Sequence, residues 1–273
     1  MVIKTNQTPT PKGKFYPLME SFGRVHAYLI DDGEGLTVID SLRDKGGKVI
    51  FEALQSLGRS PKDVRRIILT HAHPTHVNGA AALKAASGAP IYAPAPELEV
   101  FEGRRPCNPT TWIPKRPLRL LPQQFLLNLQ NFLWVRGSRP AWLNVQPVKV
   151  DHIIEKDDQY IGELITFRTP GHSPGSTSFY WPQTGTLFAG DIVVTWPIFE
   201  PGWKGLTENY PQNLAALQRL VTIFEGRGWQ IRHFAAGHGA PLATEDGLAD
   251  IKRLLAEAQR AGYTIPALQT PAS

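Results

Sequence analysis

At 273 residues the chain is long enough for one large domain or two small ones, and a 42% hydrophobic content allows a substantial core. The formal charge of +5, from 29 basic against 24 acidic residues, is too weak and too dispersed to form a nucleic-acid surface. A single cysteine, Cys107, excludes an intrachain disulfide and a thiolate metal cluster, so any metal must be held by imidazole and carboxylate.

Residues 1–17 are polar with no apolar core of signal-peptide length, and no run of 18 apolar residues occurs. A cytoplasmic protein without stable membrane insertion is therefore expected. β-rich runs at 25–30 and 36–39 flank Asp31-Asp32-Gly33-Glu34-Gly35 and predict a hairpin. Residues 49–57 have helical apolar spacing, with Gly58 near the end. A short apolar strand at 66–69 delivers the chain into a histidine cluster, and the Ala-rich stretch 76–86 predicts a helix. A strand at 91–93 and a helix near 96–102 follow. Residues 103–147 break the pattern with prolines, arginines and an amphiphilic stretch at 120–134, which reads as an inserted helical lid. The second half predicts strands at 148–154, 164–169, 177–181 and 186–189, a helix at 211–224, a strand at 231–235 and a closing helix at 245–261. Two runs of strands, each followed by helices, predict two sheets packed face to face with helices outside, in a single domain over 1–273.

The chemistry gathers in four short segments: Thr70-His71-Ala72-His73-Pro74-Thr75-His76, Thr169-Pro170-Gly171-His172, Phe188-Ala189-Gly190-Asp191 and Ala236-Gly237-His238-Gly239. Pro74 biases His73 toward extended backbone, where side chains two apart point the same way, so His71 and His73 can reach one ion. His172, after a Pro-Gly turn, can aim a third imidazole from the other half of the chain. Three histidines with an open fourth position form the arrangement of a catalytic zinc, which lowers the pKa of its water toward about 7. His76, Asp191 and His238 can supply a second ion, with Asp191 at a strand end where a carboxylate bridges or orients. His26, His152 and His233 lack such neighbours and are left out. Thr75, just before the Ala-rich stretch, reads as a helix N-cap.

These segments, with the Val38-Ile39-Asp40 strand upstream, resemble the metallo-β-lactamase fold superfamily, whose motif is His-x-His-x-Asp-His followed by a distant His, a Gly-Asp and a Gly-His. The resemblance implies an α/β (α+β) architecture, an αββα sandwich of two mixed β-sheets flanked by helices. It implies His71, His73 and His172 on a first metal and His76, Asp191 and His238 on a second. The motif aspartate, a ligand of the second metal, is replaced here by Thr75. One ion at the first set, two ions with an incomplete second set, or loss of hydrolysis are the outcomes this leaves open.

The expected activity is that of a hydrolase attacking an ester, lactone or thioester carbonyl with metal-bound hydroxide, with zinc as cofactor and iron or manganese as alternatives. Asp191 and His238 are the expected catalytic residues beyond simple ligation. The family also holds β-lactamases, phosphodiesterases and sulfur dioxygenases. Asp191 stands where the commonest class of zinc β-lactamases has Cys, and many lactonases place a Tyr three residues later, where this chain has Val194. Trp196, Ile198, Phe199 and Trp203 soon after Asp191 suit a pocket for an apolar part of a small-molecule substrate. A mononuclear iron enzyme acting on sulfur, β-lactam hydrolysis as a side activity, and a non-catalytic small-molecule binder are the alternatives. The 103–147 insertion is read as a lid, with a homodimer contact or a membrane-surface contact as its other uses.

Overall fold

Alternation along the strands builds three layers of apolar packing. The computed structural model describes residues 13–21, 23–33, 35–107 and 144–266. In the first sheet, β1 (Lys14–Glu20), β2 (Val25–Asp31) and β3 (Leu36–Ile39) pair antiparallel, and β4 (Val64–Ile68), β5 (Ile91–Pro94) and β6 (His152–Ile154) continue in parallel, in sequential order. The second sheet contains β7 (Tyr160–Ile161), β8 (Leu164–Arg168), β9 (Thr177–Trp181) and β10 (Thr186–Gly190) antiparallel, then β11 (His233–Ala236) parallel to β10, and β12 (Leu242–Ala243). β2 is buried at six successive positions because both its faces are covered. Ala27 and Leu29 pack with Ile50, Leu54 and Leu83 of α1 (Lys48–Ser56) and α3 (Ala80–Ser87). Tyr28 and Ile30 pack against Phe179, Trp181 and Phe188 of the other sheet. On the outer face of that sheet, Phe167, Tyr180 and Leu187 meet Leu214, Leu217 and Phe224 of α5 (Tyr210–Arg227) and Ile251 and Leu254 of α6 (Gly247–Arg260). The arrangement is the expected sandwich of two mixed sheets with flanking helices.

The departures from the sequence reading have local causes. β1 lies in a stretch that reads as polar, because as an edge strand it buries only Leu18 fully. Residues 148–150 are not a strand, although Val148 and Val150 are buried: the Asp151 carboxylate accepts from Ile91 N at 2.8 Å and the regular ladder starts at His152. The helix expected over 76–86 is two pieces, α2 (Pro74–Val77) and α3, with Asn78 and Gly79 between them. Thr75 is therefore not an N-cap. His73, with extended φ −95° and ψ 145°, is the flanking residue, and Pro74 takes the first helical position, where its missing N–H costs nothing. α6 begins after Asp246, whose side chain accepts from Leu248 N and Ala249 N, and α5 runs to Arg227, where Gly228 at φ 65° ends it. A turn of α4 (Leu98–Phe101) follows the Ala95–Glu97 3-10 turn. The expected lid, and the dimer or membrane contact attached to it, fall mostly on 108–143, outside the described residues. Among the described residues no helix is long and apolar enough to cross a membrane.

Candidate metal centre

Strands of the two sheets end at one rim of the sandwich and deliver the polar residues there. β4 runs through the fully buried Ile67, Ile68 and Leu69 into Thr70 and His71; β10 ends at Gly190 before Asp191; β11 ends at Ala236 before His238; β8 leads to the loop bearing His172. α2 carries His76. All six candidate ligands, His71, His73, His76, His172, Asp191 and His238, are buried. They fall into two donor sets that could hold a metal ion: His71, His73, His172 and Asp191, and His76, Asp191 and His238. Asp191 belongs to both. Gly237 is required by this convergence, since a Cβ there would stand 2.4 Å from Asp191 Oδ1 and from His76 Cε1.

Hydrogen bonds behind the imidazoles fix which nitrogen faces inward. Thr70 Oγ1 donates to the Asp40 carboxylate at 2.9 Å and accepts from His71 Nδ1 at 2.9 Å, leaving the His71 Nε2 lone pair free. His76 Nδ1 donates to Asp40 Oδ2 at 2.7 Å, and His238 Nδ1 donates to the Arg24 carbonyl at 2.8 Å. The Nε2 atoms of His238, His172, His76 and His71 then surround Asp191 Oδ2 at 3.3, 3.4, 3.5 and 3.8 Å. His71 Nε2 and His172 Nε2 each lie 3.0 Å from His73 Nδ1.

Burial keeps the imidazoles of the first set uncharged. It lowers His71 and His73 well below the ordinary imidazole value, with neighbouring imidazoles adding to the effect, and lowers His172 to about 4. His76 behaves oppositely: burial disfavours its charge, yet Asp191 and Asp40 outweigh it and raise the ring to about 10. Burial likewise opposes ionisation of Asp191, but His238, His76 and His172 hold its carboxyl well below the usual range. The cluster thus combines neutral lone pairs with anionic charge, which is what a divalent cation requires.

The donor set fits an ion on its own geometry. A single His73 nitrogen cannot satisfy two neighbouring imidazole nitrogens as both donor and acceptor partners, and buried His76 Nε2 and Asp191 Oδ1 have no hydrogen-bond partner. Three nitrogens at about 2.0–2.1 Å from a tetrahedral zinc would stand roughly 3.3 Å apart, close to the spacing within this set.

The mouth of the cluster is lined by His73, Thr75, His172, Asp191, Trp203, Leu206 and His238. Thr75 thus faces the site, where it presents a hydroxyl in place of a carboxylate. Trp203 lies tilted against His238 with centroids 4.6 Å apart and planes at 47°, and its Nε1 donates to the Trp196 carbonyl at 3.1 Å. Trp196 is 38% exposed, with the Arg24 guanidinium 4.6 Å from its ring centroid. Phe199, expected in the substrate pocket, instead packs on Phe234 at 4.9 Å as part of the helix-side core, because the Val194–Glu200 bridge turns it inward. Ile198 is exposed.

Sequence reasoning counted Asp40 among the resembling segments without giving it a role, and passed over Glu97. Asp40 ends β3 in the left-handed region, φ 59°, which turns its oxygens toward Thr70 and His76. Its signal was visible, an Asp closing the apolar run of β3. Glu97, only 3% exposed, carried no motif signal at all. Of the excluded histidines, His26 is buried and stacked on Tyr28, while His152 stacks on Tyr92 and His233 lies beside Phe15.

Comparison with known proteins agrees with this geometry. The family model described as the metallo-beta-lactamase superfamily matches residues 21–235. Probable metallo-hydrolase YybB of Bacillus subtilis is 26% identical over 174 residues, 63% of this chain and 63% of that protein. A hydroxyacylglutathione hydrolase of Albidiferax ferrireducens is 39% identical over 72 residues, 26% of this chain and 22% of that protein. The chain thus spans less than two thirds of the length of these curated relatives. A metallo-beta-lactamase family protein from Thermus thermophilus shares the fold, with a TM-score of 0.60 at 22% identity over 90% of this chain and 79% of that one. With a family match running from the β1–β2 turn to β11 and taking in the segments of His71, His172 and Asp191, the chain belongs to the metallo-beta-lactamase superfamily.

Proposed function

We propose that this chain is a metal-dependent hydrolase acting on an ester, lactone or thioester carbonyl of a small molecule with an apolar part. The observation that carries this reading is the convergence of neutral imidazole lone pairs from His71, His73 and His172 beside the ionised Asp191. His71, His73 and His172 would hold a zinc, iron or manganese ion, which would supply an acidified water and a Lewis acid for the carbonyl oxygen. The protein's own residues do the rest. Asp191, shared by both donor sets and held ionised by His238, His76 and His172, would bridge the ions or orient the attacking water. His238, its tautomer fixed by the Arg24 carbonyl, keeps Nε2 directed at Asp191. Trp203 and Leu206 give the mouth an apolar wall for the acyl or leaving group. The relative named hydroxyacylglutathione hydrolase supports including thioesters among the substrates.

Thr75 favours a second reading, a single-ion iron enzyme oxidising a sulfur substrate, because the second donor set has three members, with Asp191 its one carboxylate. The deciding experiment measures bound metal, then assays the zinc-, iron- and manganese-loaded protein on an aryl ester, an acyl-homoserine lactone and a glutathione thioester, with oxygen uptake in parallel. Turnover without oxygen uptake supports hydrolysis. Oxygen uptake by the iron form alone supports the second reading. Metal bound with no turnover of either kind refutes both and leaves a small-molecule binding protein.

A further inference from the structure

Glu97 lies outside every motif of the sequence, yet it connects the two loops that supply the three histidines of the first donor set. It closes the rigid Pro94-Ala95-Pro96-Glu97 turn after β5, and β5 is the strand beside β4, which leads to His71. One carboxylate oxygen accepts from the backbone N–H of Ala72, the residue between His71 and His73. The other accepts from Gly175 N at 2.9 Å, three residues after His172. These contacts span 25 and 78 residues of sequence, and the carboxylate is buried between them. Gly175 is part of the device: a Cβ there would come within 2.9 Å of Glu97 Cγ.

Glu97 also borders a cavity of about 310 Å³ shared with His73, Ser173 and Glu208, which would suggest a reacting acid. The hydrogen bonds argue otherwise, since each oxygen already accepts a backbone N–H at the wall of the cluster. A carboxylate accepting two amides holds backbone in place more strongly than a neutral acceptor would. We infer, on the metal-binding reading above, that Glu97 is a positioning residue that clamps the His71–His73 loop to the His172 loop, so that the three imidazoles converge before an ion arrives. Asp40 braces His76 directly at its ring nitrogen and His71 through the Thr70 hydroxyl; Glu97 braces the three histidines of the first set through their backbone.

Two measurements test the clamp. In chelator-treated wild-type protein, hydrogen exchange should find the Ala72 and Gly175 amides already protected. Exchange at open-loop rates until metal is added would overturn the clamp. In the second measurement, Glu97→Gln and Glu97→Ala are compared with Thr166→Val, which removes a buried hydroxyl hydrogen-bonded to Gln159 and Lys156, away from the cluster. First-ion affinity for cobalt, read by chelator competition and the visible absorption of the bound ion, should fall about 10- to 100-fold in both Glu97 variants and stay near wild type in Thr166→Val. Unchanged affinity in Glu97→Gln, or an equal loss in Thr166→Val, would refute a positioning role. If the Glu97 variants do not fold, the wild-type exchange data decide. If wild-type protein takes up no metal, the hydrolase reading fails while amide protection still reports on the clamp.

Discussion

The opposed titration behaviour of the cluster predicts that the metal-free protein is most stable near pH 6.5 and weakens on both sides. Burial lowers His172 to about 4, and burial together with His238 lowers His26 to about 4, whereas an unfolded imidazole titrates near 6.5. Between those values the unfolded chain binds more protons than the native one, so stability falls as the pH falls. Each group contributes a slope of about 1.4 kcal/mol per pH unit, so these two remove on the order of 6 kcal/mol by pH 4, comparable to the whole stability of an ordinary domain. His71 and His73, lowered by burial in the same direction, add to the loss. On the alkaline side the sign reverses. His76, raised to about 10 by Asp191 and Asp40 against the effect of burial, keeps in the native state a proton that the unfolded chain releases above 6.5, and stability is lost as pH rises toward 10.

A bound ion discriminates between these limbs. Metal at His76 Nε2 replaces the proton there, so saturating zinc should abolish the alkaline loss while the acid limb persists and steepens as the ligands compete for protons. The assay is urea unfolding at pH 4.5 to 9.5, with chelator and with excess zinc. A flat profile from pH 6.5 to 5 in chelator would refute the burial argument. An alkaline limb untouched by zinc would show that His76 does not ligate.

Thr75→Asp should raise occupancy of the second donor set toward one ion per chain by elemental analysis, because residue 75 already lines the mouth between His73 and His238; unchanged stoichiometry would mean another residue limits the site. Asp191→Asn removes the one donor shared by both sets and should leave at most one ion, on His71, His73 and His172, with loss of any hydrolytic turnover; two retained ions would remove Asp191 from its bridging position. Trp203→Ala removes an aromatic wall of the mouth and should raise KM for aryl esters about 2- to 10-fold, from an aromatic contact energy of ~0.5–1.5 kcal/mol with the substrate ring, with kcat little changed. A fall in kcat alone would assign Trp203 to His238 rather than to substrate.

The parts of this site legible in the sequence are those where chemistry and backbone geometry coincide. His71 and His73 sit two apart ahead of Pro74, with His73 extended, Asp191 directly follows an apolar strand and His238 comes one glycine after another, so residue type and local pattern point to one rim of the fold. Phe199 escapes such reading because an aromatic near Asp191 carries no sign of which way it faces, and a bridge between Val194 and Glu200 settles that. Thr75 departs from its expected role by two positions of helix geometry: Pro74 takes the first helical position, which moves the cap back to His73 and makes Thr75 the second helical residue. Asp40 and Glu97 illustrate a deeper limit. Asp40 accepts from residues 30 and 36 positions away, and Glu97 from residues 25 and 78 positions away. Neither partnership has a periodicity, and in both the carboxylate serves atoms that bear no sequence signature: a backbone amide, a threonine hydroxyl, the outward nitrogen of an imidazole. Ligands declare themselves because few residue types can hold a cation, whereas almost any residue can offer the backbone N–H that a bracing carboxylate needs. A metal centre's donor set can therefore be read from local pattern, while the groups that hold the donors in place emerge only once the strands are paired.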